Sequence, residues 1–355
     1  TVVILIEMIT SLQIRNFKSI EDSRKLELKP LTIFTGPNCA GKSNILEPLV
    51  VLGQTNQLSG AIEHSLIGSL SDGAYIKYPY PWFSYVSHKG ERNRPISFEV
   101  HFELTNKTSK LLQLLENRKE LSNYIPKEPI SSIGYGYSYT PMTEEASNRI
   151  FIEEKKIIEV ARVKKDSAYQ DLVTYPEELA GFTPQGSPNL ILTDRCFTLS
   201  HVSHPILQQR KVLTDALSAV AGEVVREVAD NLSRVYLIRA QRGQVHPTIK
   251  TGGEREPIPF WVGINGEYLL QILALCFSKR EYSRKAEKIN EWAEKFGIGT
   301  IRAGWWGRNE LGSDFEDPEL KSTLNLTVAS FGSKQVLSII TQLFWSEPGD
   351  LIMIE

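Results

Sequence analysis

An α/β fold class is predicted by three observations along the chain. The apolar run 31–35 (LTIFT) leads directly into the glycine-framed segment Gly36-Pro37-Asn38-Cys39-Ala40-Gly41-Lys42-Ser43, after which apolar residues recur at helical spacing. Short alternating runs precede it, and the far end, 350–355 (DLIMIE), reads as an apolar strand tipped by a carboxylate. Composition agrees: with 41% hydrophobic and 23% charged residues, a disordered or collagen-like chain is excluded. At 355 residues the chain can bury a sizeable core, as one large domain or two smaller ones. Lys+Arg total 40 against 42 Asp+Glu, a formal charge of −2, which argues against a wholesale nucleic-acid coat but leaves room for a local basic patch.

The elements follow in order. Ile9, Leu12, Ile14 and Phe17 punctuate polar residues, and Leu26 and Leu28 mark a second run, so two short paired strands are expected. LTIFT reads as a buried strand. Ile45, Leu46, Leu49 and Val50 then define one helix face, with Gly53 expected to end the helix. Residues 54–94 are rich in Gly, Ser, Tyr and Pro. Their run YIKYPYPWFSY (75–85) reads as an irregular surface loop with packed rings in preference to a base-stacking platform. Residues 95–102 (PISFEVHF) read as a strand, 111–124 as a helix, and 150–175 as a small antiparallel sheet. Residues 205–232 read as a helix with Leu213, Leu217, Val220, Val224 and Val228 on one face; this stretch is too short and too irregular for a coiled coil.

The segment Gly36–Ser43 has the form GxxxxGK[ST] of a phosphate-binding loop, placed between a strand and a helix as its chemistry requires. Gly36 and Gly41 let the backbone curl so that successive N–H groups face an anion, and the helix N-terminus adds partial positive charge. Lys42 reaches the outer phosphates, and Ser43 offers a hydroxyl to Mg2+. A nucleotide and Mg2+ are therefore expected at this loop. Near the C-terminus, Ser330-Phe331-Gly332-Ser333-Lys334-Gln335 opens a helix with Val336, Leu337, Ile340, Leu343 and Phe344 on its apolar face. Two readings stand for it: a capped amphipathic helix, or a phosphate site at a helix N-terminus. The strand ending in Glu355 is of the kind that delivers a metal-binding acid.

Taken together, GPNCAGKSN, SFGSKQ and the acid-tipped strand resemble ABC-type ATPases of the SMC/RecF/OLD branch. The opening ITSLQIRNFKSI resembles the NF[KR]S strand pair that begins those proteins, and YLIRAQRG (236–243) with VGINGEYLLQIL (262–273) resembles prokaryotic OLD-like AAA family ATPases. The resemblance implies an ABC-ATPase-like head, with a mixed sheet, N-terminal antiparallel strands and an inserted α+β region. Residues 1–7 would lie upstream of a natural start at Met8. The head would comprise 8–105 and 235–355, with the insertion at 106–234.

In that family two heads sandwich ATP. Carried over, Lys42 and Ser43 bind phosphates and Mg2+ together with Gly36, Pro37, Asn38, Cys39, Ala40, Gly41 and Asn44. Ser330 and Gly332 contact the γ-phosphate held by the partner head, Glu355 replaces the usual metal-binding Asp, and Lys18 lies near the nucleotide. The implied partners are a second copy, DNA and a further protein. The family's catalytic Glu would follow Glu355, so the chain is expected to be truncated at this strand, to bind ATP better than it hydrolyses it, and to leave the strand with an exposed edge. No family-style Gln loop can be placed: Gln54 and Gln57 come too early and Gln113 falls on an expected helix.

Other features carry less. Cys39, Cys196 and Cys276 are scattered, so neither a disulfide nor a zinc framework is expected, and Cys39 reads as a small filler. His201 and His204 read as ordinary loop histidines. Lys279, Arg280, Arg284, Lys285 and Lys288 interleave with Glu281, Glu287, Glu291 and Glu294 as a solvated helix face. Arg239, Arg242 and Lys250 follow a strand and are candidates for phosphate or DNA contact. No apolar run approaches the ~20 residues of a membrane span, and a cytoplasmic location is expected. Two other functions compete: a non-hydrolysing ATP sensor or scaffold subunit, and a P-loop small-molecule kinase, which needs an Arg-bearing lid.

Overall fold

The computed structural model describes residues 2–5, 9–57, 87–104, 130–140, 142–143, 145–165, 168–174, 189–192, 199–203, much of 220–250, and 258–355 except 308. It forms two compact units, Leu5–Val235 and Val2–Ile4 with Tyr236–Glu355. In chain order, β1 (Val2–Leu5), β2 (Ile9–Phe17), β3 (Ile20–Asp22), β4 (Leu26–Glu27) and β5 (Leu31–Phe34) lead to α1 (Lys42–Gln57). Then come β6 (Ile96–Glu103), β7 (Ser132–Thr140), β8 (Glu145–Ile152), β9 (Lys155–Lys165), β10 (Ala168–Thr174), and the antiparallel pair β11 (Asn189–Leu192) and β12 (Leu199–Ser203).

The first unit is organised by an eight-stranded sheet in the order β10-β9-β8-β7-β6-β2-β3, with β4 beside β2. Strand pairing puts Leu12 opposite Val100, Ile14 opposite Phe98, Phe98 opposite Tyr137 and Val100 opposite Tyr135. Period-two alternation therefore collects Leu12, Ile14, Phe98, Val100, Phe102, Tyr135 and Ile150 on one buried face. The edge-to-face pair Phe17–Phe98, with centroids 5.1 Å apart, sits in the same core. Helix α1 packs beside β2 and buries Leu46, Leu49, Val50 and Leu52. The small sheet expected at 150–175 is instead the far end of this large one. Strand β7, whose tyrosines alternate with Gly and Ser, pairs Tyr135 with Ile150 and Ile133 with Ile152 and joins the two parts. The sheet thus runs unbroken across the boundary expected at 105/106.

Two further expectations are corrected locally. Helix α1 continues through Gly53 to Gln57, because a single helix-interior Gly costs only about 1 kcal/mol against Ala. Strand β5 forms, but its Leu31 and Ile33 are 56% and 53% exposed, so it is not a buried strand; both side chains lie on its open face. The helix at 205–232 is described only from 220 on, where Val220, Val224, Val228 and Leu232 are buried. Leu213 and Leu217, the helix at 111–124, Gln113, the 75–85 run, Cys196 and His204 lie outside the described residues.

The second unit holds β13 (Val235–Ile238), β14 (Thr248–Lys250), α2 (Leu269–Ser278), α3 (Ser283–Lys295), β15 (Thr300–Gly307), β16 (Glu310–Asp317), β17 (Ser322–Asn325), α4 (Phe331–Trp345) and β18 (Leu351–Ile354). Strand β18 is buried along its length and lies between β13 and β1. It is therefore not an edge: Val2–Ile4, expected to lie outside the head, supply its second neighbour. Strands β14, β16 and β15 form an antiparallel sheet with β17 beside β16, and α2 packs on it through Leu270 and Ala274. On α3, Glu291 bridges Lys288 and Lys295, while Lys285 reaches Glu347, as a solvated face should. Among the described residues no helix is long and apolar enough to cross a membrane.

Candidate nucleotide-binding site

In the first unit the loop 36–41 is open to solvent and α1 begins at Lys42. The loop is made by backbone conformations that few residues adopt. Gly41 has φ +86°, and a Cβ there would collide with Ser19 Oγ. Cys39 is a non-glycine residue at φ +64°, at a cost of order 1–2 kcal/mol, and its side chain is exposed. Lys42 Nζ donates to the carbonyl oxygens of Gly36 (3.0 Å) and Pro37 (2.7 Å), so the ammonium lies over the loop it would share with phosphate. A glycine at φ +86°, where a side chain would be strained, a lysine over the loop and a helix starting at that lysine fit a nucleotide phosphate.

The turn after β2 buttresses this loop. Phe17 pairs with Ile20, leaving Lys18-Ser19 as a two-residue turn with Lys18 at φ +51°. Ser19 Oγ accepts from Asn44 Nδ2 at 2.7 Å, beside Gly41. Lys18 forms a partly buried ion pair with Glu47 on α1. His88 Nδ1 donates to the Lys18 carbonyl (3.0 Å), which assigns the ring proton to Nδ1. Asn16 is buried at φ +50°; its Nδ2 donates to Glu91 O (3.2 Å) and Arg94 O (2.8 Å), and its Oδ1 accepts from His88 N (3.0 Å). The structure thus brings Lys18, Ser19, Gly41, Asn44 and Glu47 together. The spacing of residues gave no role to Ser19 or Asn16. Their signal was two polar residues flanking Phe17-Lys18 at a strand end.

In the second unit Ser330 caps α4: its Oγ accepts from Ser333 N at 3.0 Å. Ser330, Phe331 and Gly332 are all exposed, flanked by Val328 at 65% exposure. The capped-helix reading is therefore correct locally, and the cap faces outward. Glu355 follows β18, and its N–H donates to Ile238 O on β13 (2.9 Å). The segments 236–243 and 262–273 meet here: Arg239 N donates to Ile264 O and Gly243 N to Asn265 O, both at 2.9 Å. Arg242 does not join an exposed basic patch. It is half-buried, and its Nη1 donates to Glu355 O (2.6 Å) and Arg239 O (3.0 Å). Its Nε donates to Gln335 O (3.3 Å). Burial pulls its pKa below the ordinary guanidinium value, against the opposing pull of Glu355. Among the described residues no group of three or more His, Cys, Asp or Glu side chains could hold a metal.

Loop 36–41, with Lys42 at the start of α1, has the form of a nucleotide-phosphate site. Residues 8–180 match the family described as the AAA ATPase domain. The chain is 38% identical over 60 residues to the DNA replication and repair protein RecF of Acholeplasma laidlawii, covering 17% of this chain and 17% of that protein. It is 23% identical over 233 residues to the protein of the same name from Bacillus cytotoxicus, and 24% identical over 236 residues to that from Bacillus thuringiensis. Each of these two matches covers 65% of this chain and 59% of the relative, so the chain spans less than two thirds of the length of each. The matches support a P-loop ATPase of the ABC/SMC/RecF type, an ATP-binding protein with a mixed α/β architecture and an antiparallel sheet.

Proposed function

We propose that this chain is the ATP-binding head of a cytoplasmic OLD/SMC-like ATPase in which two copies close around ATP, in the service of DNA transactions or defence against foreign DNA. The carrying observation is the exposed cap of α4: Ser330, Phe331 and Gly332 face outward, free to meet a second copy. The DNA link draws on the relatives named as replication and repair proteins. Residues 36–44 hold the phosphates, with Lys42 exchanging its carbonyl partners for the outer phosphate oxygens. Ser43 and Glu355 are each proposed, on its own unit, to contact Mg2+, and Ser330 with Gly332 donates to the γ-phosphate held by the other copy. Bound Mg2+·ATP supplies the charge that these donors share. Each copy's cap then stabilises the closed pair through charge-assisted hydrogen bonds available only while the γ-phosphate is present.

Light-scattering mass measurement with and without ATP tests this. Wild type shifts toward a dimer, while Lys42→Ala and Ser330→Arg each remain monomeric. A mixture of the two variants recovers part of the dimer, because one intact site forms from the lysine of one and the serine of the other. Equal masses with and without ATP for wild type would refute the proposal. Tight ATP binding with neither dimer nor turnover would select the sensor or scaffold reading.

A further inference from the structure

The two segments that the site chemistry leaves without a role, 236–243 and 262–273, form a bracket around the first turns of α4. One side is laced to the 262–266 loop by the Arg239 and Gly243 amide bonds. The other side lies against α4: Gln335 Nε2 donates to Ala240 O at 2.8 Å. At Gly243, φ is +97°, and a Cβ would sit 3.0 Å from Lys334 Cβ and 3.1 Å from Gln335 N, so a side chain there would be strained and press on α4. In the middle of the bracket, the single Arg242 guanidinium reaches main-chain oxygens on three elements: the turn after β13, helix α4 and the residue after β18.

We propose that Arg242 is a positioning residue that ties the end of β18 to the first turns of α4, so that the Ser330 cap and Glu355 respond as one body. The planar guanidinium fork suits this task. It addresses several main-chain oxygens at once in fixed directions, whereas an ammonium is a single point of charge on a flexible stem. Arg242 is turned inward, which sets it apart from a residue that waits for an external phosphate. The coupling rests on the reading of Ser330 and Glu355 given above; the mechanical link does not.

The link is tested first without nucleotide, by amide hydrogen exchange in the full chain. Arg242→Ala accelerates exchange both at Glu355 and in the first turns of α4. Acceleration at neither, or at only one, overturns the proposal. Coupling is tested by ATP titration. Arg242→Ala leaves ATP affinity without Mg2+ unchanged, because Lys42 belongs to the other unit. With Mg2+ it needs roughly tenfold more ATP for half-maximal dimer formation, as expected for the loss of charge-assisted bonds. Arg242→Lys recovers only part of this, and Gly243→Ala, which alters no charge, reproduces the defect.

Wild-type dimer formation in Arg242→Ala, or full recovery by lysine, would overturn the proposal. So would loss of Mg2+-free ATP binding in both Arg242→Ala and Gly243→Ala, which would mark a purely structural role. Failure of the underlying reading appears separately, as a wild type that never dimerises while the exchange result stands.

Discussion

Replacing Asn16 by alanine separates the buttress from the loop it supports. Asn16 is 1% exposed and makes three hydrogen bonds to the backbone of residues 88–94. The carbonyls of Glu91 and Arg94 lie in a segment with solvent access, so water replaces part of what the amide gave. About 1 kcal/mol per lost bond, roughly 3 kcal/mol in all, is then appropriate. Alanine at φ +50° adds about 1 kcal/mol, because asparagine tolerates the left-handed region and alanine does not. The total, about 4 kcal/mol, is a large fraction of the ~5–15 kcal/mol by which domains are usually stable. Asn16→Asp is the informative control. It keeps the acceptor for His88 N and the tolerance of positive φ, yet aims a carboxylate oxygen at two carbonyls. It should cost at least about 2 kcal/mol near neutral pH and recover in part as the carboxyl protonates. Urea unfolding gives the stabilities. ATP titration should show weaker binding in Asn16→Ala, since Ser19 in the next turn positions Gly41 and Asn44. Destabilisation below about 1 kcal/mol, with ATP affinity unchanged, would refute the claim that Asn16 holds this turn.

Two further outcomes are expected. Gln342 is fully buried, accepts from Val262 N (2.8 Å) and donates to Ser346 Oγ (2.8 Å), so Gln342→Ala strands a buried amide and leaves a cavity. Urea unfolding should show a loss of about 2–4 kcal/mol, and one near zero would mean that water enters to replace the amide. Glu99 is held below the ordinary carboxylate value chiefly by its hydrogen bond with His101, aided by the charges of His101, Arg149 and Arg15 and opposed by burial. Its folded pKa is depressed, so its contribution is complete above the unfolded value and is lost as pH falls through the folded one. Glu99→Gln should therefore flatten the fall in urea midpoint on acidification from about pH 6 to about pH 3. Parallel falls in wild type and variant would refute the assignment.

Much of the architecture was legible where a local rule has a single solution. A glycine-framed loop between an apolar strand and a helical repeat has one common outcome, and Lys42 begins α1 as that pattern requires. The alternation in 95–102 likewise becomes β6. Strand β7 was missed because its glycines lack a side-chain signal: Gly134 and Gly136 sit where the His101 and Arg149 side chains cross the strand. That omission hid the continuity of the large sheet. Strand β18 was expected to have a bare edge, since its second neighbour comes from residues more than three hundred positions away in sequence. No periodicity reports a pairing of that range.

What the sequence alone determined is the chemistry of the loop: glycine at a left-handed position, a lysine and a hydroxyl at fixed spacing, all dictated by backbone sterics over a few residues. Only the tertiary structure decided which surfaces those residues meet. Arg242 read as a candidate for phosphate or DNA contact after a strand, yet the fold turns it toward three main-chain oxygens, two of them from segments distant in sequence. Ser330 read equally well as an ordinary cap or a ligand site, and its outward exposure became known only once α4 was packed. Spacing along a chain fixes local conformation; burial and charge pairing arise between segments that the chain brings together only on folding.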